Sequence, residues 1–540
     1  MNSMIYNPLE EFESKYRQLH SKNAEHFLEH LVQQSGIDIE QNRETVRLYN
    51  KYKEDFAELR KKLNWLRFWR VLMCITILLI PIVIKKTTPK IKAMRTQMDE
   101  SDKKADALLE EANCQMIPLT SLFTEWDAIG IIEQTIPMIS FEKSFSVEQE
   151  TDMIINYDFK EHNSKDQSTL EVLSGRYNDN PFLFESKVVH KMGMETYHGY
   201  KTIHWTESYR DSDGRMRTRS RSETLHATVT KPKPFYNKQI VLNYCAQGGP
   251  DLTFSRDATH LERKSEQAIE RYIKRGERKL DRKTDQAISR NGNFMSMSNT
   301  DFEVLFDAWD RTDEVQFRTL FTPLFTPLAQ TNMVDLLLSK VGYGDDFDFK
   351  KSKRTNKIIS DHSQGRDLYL LPESYISYSY DIIRENFMGK NQEFFKAIYF
   401  NFAPLWAIPM YQERPVHSLE PLPDYSQVYS LKECEALANA VSYNFVAHPD
   451  TKSQVILKSA FVRSQDNIDE TRITAYSYDI KKQVDVVSVY GGDGRYHNVS
   501  VTWDEYLPLE ASKNFYVSTE EIAANKSIIG RHNGLCIFRN

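Results

Sequence analysis

Cysteine is scarce in this chain of 540 residues, five in all. Cys114, Cys245, Cys434 and Cys536 stand far apart with no metal or redox spacing. That excludes a paired-cysteine zinc site and a thioredoxin-like motif, and favours a reducing compartment. Glycine and proline are also few, 19 of each, which argues against large disordered tracts. Neither sign of charge dominates, because 70 basic residues face 76 acidic ones for a net of -6. No general affinity for nucleic acid is implied, and none is expected. No G-x-S-x-G, Walker or kinase set occurs, and no repeat of about 20 to 50 residues, which excludes a solenoid or propeller. The run Gly491-Gly492-Asp493-Gly494 lies between two strand patterns, so it reads as a hairpin turn and not as a dinucleotide loop. No cofactor is expected.

Long apolar runs are absent but for one. Val71 to Ile84 (VLMCITILLIPIVI) carries no charge, yet it is shorter than the roughly 20 residues of a spanning helix. Its flanks lengthen it. Trp65, Phe68 and Trp69 supply an aromatic belt, Arg67 and Arg70 can snorkel, and Lys85 and Lys86 close the far end, so that Trp65–Ile84 suffices to span. The run begins too far into the chain for a cleaved signal peptide. Seven basic residues lie in the twenty positions before Val71 and seven in the twenty after Ile84, so the positive-inside rule gives no orientation. The expectation is a single-pass protein of the cell membrane, its partner the lipid bilayer, with the large C-terminal part facing the cytoplasm.

Helical periodicity dominates the N-terminal quarter. Residues 9–35 place Phe12, Tyr16, Leu19, Phe27 and Leu31 on one side, and Gly36 is a natural stop. From Asp38 a second helix carries Tyr49, Tyr52, Phe56, Leu59, Leu63 and Leu66 at alternating steps of three and four, the spacing of a coiled-coil seam. The spacing returns in Ile91, Met94, Met98, Ser101, Ala105, Leu108 and Ala112. The pattern predicts a helical rod running through the apolar segment, interrupted at Thr88 (N-cap) and Pro89 (first helical position). Such a seam wants a partner, either its twin in a parallel homodimer or another helix of the same chain.

Period-two alternation follows from Ser140 to Tyr244, with KTIHWTESYR and RMRTRSRSETLHATVT joined by the turn Asp211–Gly214 and ended by Pro232 and Pro234. Residues 256–290 read as one charged helix and the last hundred as a β-meander. Ala397 to Tyr411, broken by Asn401, Pro404 and Pro409, reads as buried strand or a membrane-touching edge. The expected fold class is α+β: a long N-terminal helix or coiled coil with one membrane segment, then antiparallel-sheet and helix modules. The expected divisions are 1–36, 37–115 with the membrane segment at 65–84, 116–255, 256–292, 293–440 and 441–540.

Four groups of residues could carry chemistry. His26, Glu29 and His30 match H-x-x-E-H, which on a helix puts two imidazoles on one face for zinc with Glu29 to activate water. The motif resembles that of the inverzincin metalloproteases in those residues only, and two histidines on a solvated helix are the simpler reading. Arg215, Arg217, Arg219 and Arg221 alternate along a strand. Their forks would share one face, near Trp205 and Tyr209, and suit phosphate or carboxylate; a charged edge strand guarding against aggregation is the simpler reading. Arg271, Arg275, Arg278 and Arg282 continue a stripe from Lys264 down the charged helix, facing anionic lipid or simply solvent. Asp345, Asp346 and Asp348 could hold a cation, though the adjacent lysines favour an ion-pair cluster.

Phe302-Glu303, Phe306, Trp309, Asp313-Glu314, Arg318 and Leu320 to Pro323 resemble the C-terminal signature of a family of bacterial membrane-anchored proteins of unknown function, over about residues 300–373. The resemblance implies N-terminal helices, hydrophobic segments and a cytoplasm-facing α+β portion; this chain departs in having one hydrophobic run and a duplicated LFTP. The leading functional expectation is a membrane-anchored, non-enzymatic scaffold or sensor that binds a protein or anionic ligand. The alternatives are a zinc-dependent hydrolase using residues 26–30, and electrostatic binding of anionic lipid or nucleic acid through residues 215–221.

Overall fold

The computed structural model describes residues 4–74, 80–160, 164–290, 292–321, 328–340, 344, 346–360, 367–416, 428–441, 443–465, 468–518 and 536–539, with backbone alone for 70–74, 80–86, 328, 443, 518 and 536–539. The fold is mixed α+β with antiparallel sheets. Two compact units form, one from Leu9–Pro137 with Tyr369–Phe400, the other from Met1–Pro8, Met138–Leu368 and Asn401–Asn540.

The first unit is helical. Helix α1 (Pro8–Glu11) passes through a π turn at Phe12–Tyr16 into α2 (Arg17–Ser35). Its buried line is Phe12, Tyr16, His20, Ala24, Leu28 and Leu31, one residue per turn. Gly36 ends it in the left-handed conformation, φ 65°, its N–H on the Val32 carbonyl. Helices α3 (Ile39–Cys74) and α4 (Ile80–Thr120) then lie antiparallel. Asn42 donates to Gln115 (3.2 Å), Gln115 donates to Thr45 (3.0 Å), and Lys53 reaches Asp102 (3.3 Å) and Asp106 (3.7 Å). As numbers rise along α3, partners fall along α4, which a rod continuing in one direction cannot do. The expected through-running rod is therefore a hairpin. Its seam residues from Tyr49 to Leu66 and from Ile91 to Ala112 are each buried or half-buried while the positions between are mostly exposed. The seam thus finds its partner within the chain, and the homodimer expected through it has no structural support from this packing. Helix α4 also runs straight through Pro89. The single hydrogen bond lost there is outweighed by the packing that resumes at buried Ile91. Helix α5 (Asp127–Thr135) adds Ile131 to a core of Leu28, Met116, Phe123, Tyr375 and Phe387.

Among the described residues no helix is long and apolar enough to cross a membrane. The run Val71–Ile84, expected to do so, falls where α3 and α4 meet; its side chains, and residues 75–79 entirely, lie outside the described residues.

The second unit is built on two antiparallel sheets. Strand β1 (Ile139–Phe141) and α6 (Val147–Tyr157), capped by a Ser146–Gln149 box, lead to β2 (Gln167–Tyr177), β3 (Asn180–Arg210), β4 (Met216–Cys245) and β5 (Thr253–Arg256). After α7 (Glu266–Ser289), α8 (Thr300–Phe306), α9 (Glu314–Phe321) and α10 (Leu328–Leu338), strands β6 (Phe347–Ser352) and β7 (Thr355–Ser360) complete a sheet of order β1-β2-β3-β4-β7-β6-β5. Helix α11 (Tyr380–Trp406) contains much of the apolar stretch that sequence reads as strand. Phe402 and Trp406 stack on each other and pack against Tyr177, with Phe402 also meeting Phe182 and Phe184. Burial leaves no polar face to reveal a helical period, and Pro404 is tolerated near the helix end. Helix α12 (Leu431–Val441) covers β2 and β8. Strands β8 (Ile456–Gln465), β9 (Ile468–Tyr490), β10 (Tyr496–Ser518) and β11 (Cys536–Arg539) form the second sheet in the order β11-β10-β9-β8.

Residues 302–321 converge in one knot. Buried Arg311 pairs with Glu303 at 2.5 Å and Glu314 at 2.8 Å, Trp309 donates to the Glu303 carbonyl, and Phe302, Phe306, Phe317 and Phe321 stack beside them. Burial raises the Glu303 carboxyl and Arg311 opposes it.

Candidate functional site

Two long arms carry the exposed chemistry. The first is the helical hairpin. Approaching its end on α3, Trp65 (64% exposed) and Phe68 (62% exposed) face solvent with Trp69, and the two indoles meet edge to face at 5.8 Å. They flank the seam instead of joining it, since Leu63 is buried and Leu66 half-buried. Large aromatic residues left out of a seam, next to Arg67, form a surface that no described residue of the hairpin covers.

The second arm is a pair of β ribbons. Beyond Val189, β3 is bonded to β4 alone, and β4 gains its other neighbour only at Val241. From there to the turn at Asp211–Arg215 the ribbon spans about 70 Å at 3.3 Å per residue. Pro232 and Pro234, expected to end the strand, lie inside it opposite Met194 and Met192. They are tolerated because β4 has no second neighbour there to take an N–H. A second ribbon, from β9 and β10 beyond Tyr476, lies on one face of the first. Ile203, Leu225 and Ala227 are buried against Val499 and Val501. Lys231 pairs with Asp485 at 2.7 Å and sits over the Trp503 ring. At Gly199 any side chain would collide with the Ser500 carbonyl. The second ribbon ends at its turn, where the Gly492 N–H donates to Glu223 at 2.6 Å.

The first ribbon goes on alone past that point. Residues 206–222 are exposed throughout but for a half-buried Asp211. Cross-strand register puts Arg217 beside Tyr209, Arg219 beside Glu207 and Arg221 beside Trp205, with Arg215 in the turn. The arginine face continues the face that the second ribbon covers further down. Asp211 takes the Arg217 side chain (2.7 Å) and Glu207 takes that of Arg221 (3.0 Å), whereas the guanidinium groups of Arg215 and Arg219 make no hydrogen bond or ion pair among the described residues. The tip thus holds two satisfied forks and two free ones.

Elsewhere the predicted residues do not assemble. Arg271, Arg275, Arg278 and Arg282 are exposed along α7, which rests on the α8 side through Gly276 against Val304 and buried Leu280. His26, Glu29 and His30 are exposed on α2, and no third metal-binding side chain gathers with them among the described residues. The motif's neighbour His20, unremarked in the sequence, is buried instead. Its ring stacks on Phe395 at 4.1 Å and its nitrogens meet Thr135 Oγ1 and the Asn391 carbonyl at 3.2 Å each. Burial lowers its pKa to about 4.

A cavity of about 140 Å³ lies between β3 and β9, lined by Asp166, His190, Tyr236, Tyr476 and Tyr478. Tyr478 Oη is 3.4 Å from His190 Nε2, and His190 Nδ1 is 3.3 Å from Asp166. Burial raises both Tyr236 and Tyr478, so at neutral pH these phenols are hydrogen-bonding groups and not nucleophiles. Under the sheet, burial alone would raise the Glu185 carboxyl, but Lys432 and Lys187 hold it at about 2. Glu435 pairs with Lys458 at 3.0 Å beside it. This charged network is built from residues far apart in sequence. Comparison with family models, curated proteins and solved structures finds no match for this chain.

Proposed function

We propose that this protein is a membrane-associated, non-enzymatic scaffold that inserts the end of its helical hairpin into one leaflet and presents the arginine tip of its ribbon to an acidic partner. The antiparallel pairing of α3 and α4 carries the reading. Because the chain enters and leaves the apolar run along one pair of helices, both polar flanks stay on the same side of the bilayer. The ten residues of α3 from Trp65 to Cys74 rise about 15 Å, half of the ~30 Å hydrocarbon core. A run too short to span is long enough for this. Equal basic flanks, uninformative for a spanning helix, both meet anionic headgroups when the insertion is re-entrant. The exposed Trp65, Phe68 and Trp69 suit the interface between headgroup and acyl chain.

Vesicle flotation of the full chain tests it. The protein is expected to float with phosphatidylglycerol-containing vesicles and to stay at the bottom once Leu78→Asp and Leu79→Asp are introduced together. Protease added outside sealed vesicles is expected to remove tags from both termini. A protected terminus would replace the re-entrant hairpin by a spanning helix, and absence of flotation would end the membrane reading.

A further inference from the structure

Asp346 lies just before β6, and the register of β5 with β6 pairs Arg256 with Phe349, so the chain leaving β5 runs back beside it. Ala258 N–H on Asp348 Oδ1 (2.9 Å) fixes that approach. His260 then turns in the left-handed conformation, φ 55° and ψ 36°, uncommon outside glycine though histidine is enriched there. Buried Leu261 anchors the 3-10 turn Leu261–Arg263 that follows. Gly344 closes the other side, since a Cβ there would stand 2.6 Å from the Ser339 carbonyl and 3.0 Å from Glu262.

The outcome is a convergence of three side chains from two loops. One ligand atom each of His260, Glu262 and Asp346 lies within 4.8 Å of the others, and His260 Nδ1 is 3.0 Å from Asp346 Oδ1. Asp346 is fully buried. Arg263 holds the carboxylate oxygens from behind, Nη2 on Asp346 Oδ2 at 2.8 Å and Nε near Glu262 Oε1 at 3.0 Å. Glu262, its side chain 9% exposed, keeps Oε2 without a hydrogen-bond partner among the described residues. A buried anionic oxygen left without a donor is costly unless a cation takes it.

We infer that His260, Glu262 and Asp346 bind a divalent transition-metal ion. One imidazole nitrogen and two carboxylate oxygens suit zinc or manganese and are a poor set for calcium, which takes only oxygen. At metal–ligand lengths of about 2.0–2.2 Å the ligand atoms close from 4.8 Å by a small rotation of Glu262. Arg263 then orients both carboxylates from outside the coordination sphere. Because the His260 side chain is 42% exposed, the ion is reached from solvent and keeps water as its remaining ligand. Its fixed point is the entry to α7, so it would tie the start of that helix to the β5–β6 edge.

The test uses full-length protein stripped with chelator and titrated with zinc or manganese alone, followed by calorimetry and elemental analysis. Wild type is expected to take up one equivalent more than His260→Ala and Glu262→Gln. Cobalt in place of zinc is expected to give visible absorption bands that both variants lose. Equal uptake by wild type and by Glu262→Gln, which keeps the volume of the side chain, would overturn the site and leave an Arg263-centred ion-pair network. Comparing variants removes any contribution from His26 or His30, which all three proteins share.

Discussion

The helical hairpin and the β ribbon are both two-element arms that run out and turn back, yet they solve their burial differently. In the hairpin each helix satisfies its own backbone, and one seam, Tyr49–Leu66 against Ile91–Ala112, is covered mainly by the other helix, with Tyr49 also meeting Tyr378 edge to face at 5.5 Å. The ribbon of β3 and β4 leaves both edges unbonded for about twenty residues and has an apolar face of its own. It therefore requires a second ribbon from the far end of the chain. What remains bare among the described residues differs in kind as well: aromatics on the hairpin, arginines on the ribbon. A self-sufficient arm can commit its end to lipid, while a dependent arm commits its length to packing and keeps only its tip for a ligand.

Substitutions can break this contrast. Gly199→Val should cost about 3 kcal/mol by overpacking and speed amide exchange in both ribbons, leaving α3 and α4 protected; exchange mass spectrometry reads both at once. Leu63→Ala, at a buried seam position, should cost about 2 kcal/mol and raise exchange toward the hairpin end while the ribbons stay protected. If either change loosens both arms equally, the arms are one cooperative element and the contrast fails.

Acid weakens the helical unit through His20. The His20 pKa is lowered to about 4 in the folded state from an ordinary 6.5, so its stabilising contribution is present above pH 6.5 and is lost as pH falls toward 4. By pH 5 that loss amounts to about 2 kcal/mol. Melting curves should show the helical unit weakening over this window, and His20→Asn should flatten the dependence. Smallest of all, Lys53→Ala removes a half-exposed pair with Asp102 and should change stability by less than about 0.5 kcal/mol.

Much of this architecture is legible in the sequence, and the gaps have physical causes. The seam is readable because alternating steps of three and four survive in every turn of both helices. Its direction is not, because a heptad pattern is the same whether the chain continues or returns, and no glycine marks a turn anywhere from Val71 to Ile84. The hairpin of β3 and β4 is visible from period two and the Asp211–Gly214 turn, but its length is hidden, since proline ends a strand only where a neighbour needs its N–H. Phe402 and Trp406 are misread as strand because full burial erases period. Of the converging His260, Glu262 and Asp346, only Asp346 draws notice in sequence. The other two lie more than eighty residues away and are brought to it by the β5–β6 register.

The two ribbons also impose an order on biosynthesis. When Leu225 leaves the ribosome, about 270 residues remain before Val499 follows, which at 5–20 residues per second is roughly 14 to 55 s. For that interval the nascent chain holds Ile203, Leu225 and Ala227 with no lid to receive them. Proline and arginine along an otherwise adhesive strand then act as its chaperone in cis, holding off mispairing with neighbouring polysomal copies until the C-terminal hundred residues arrive.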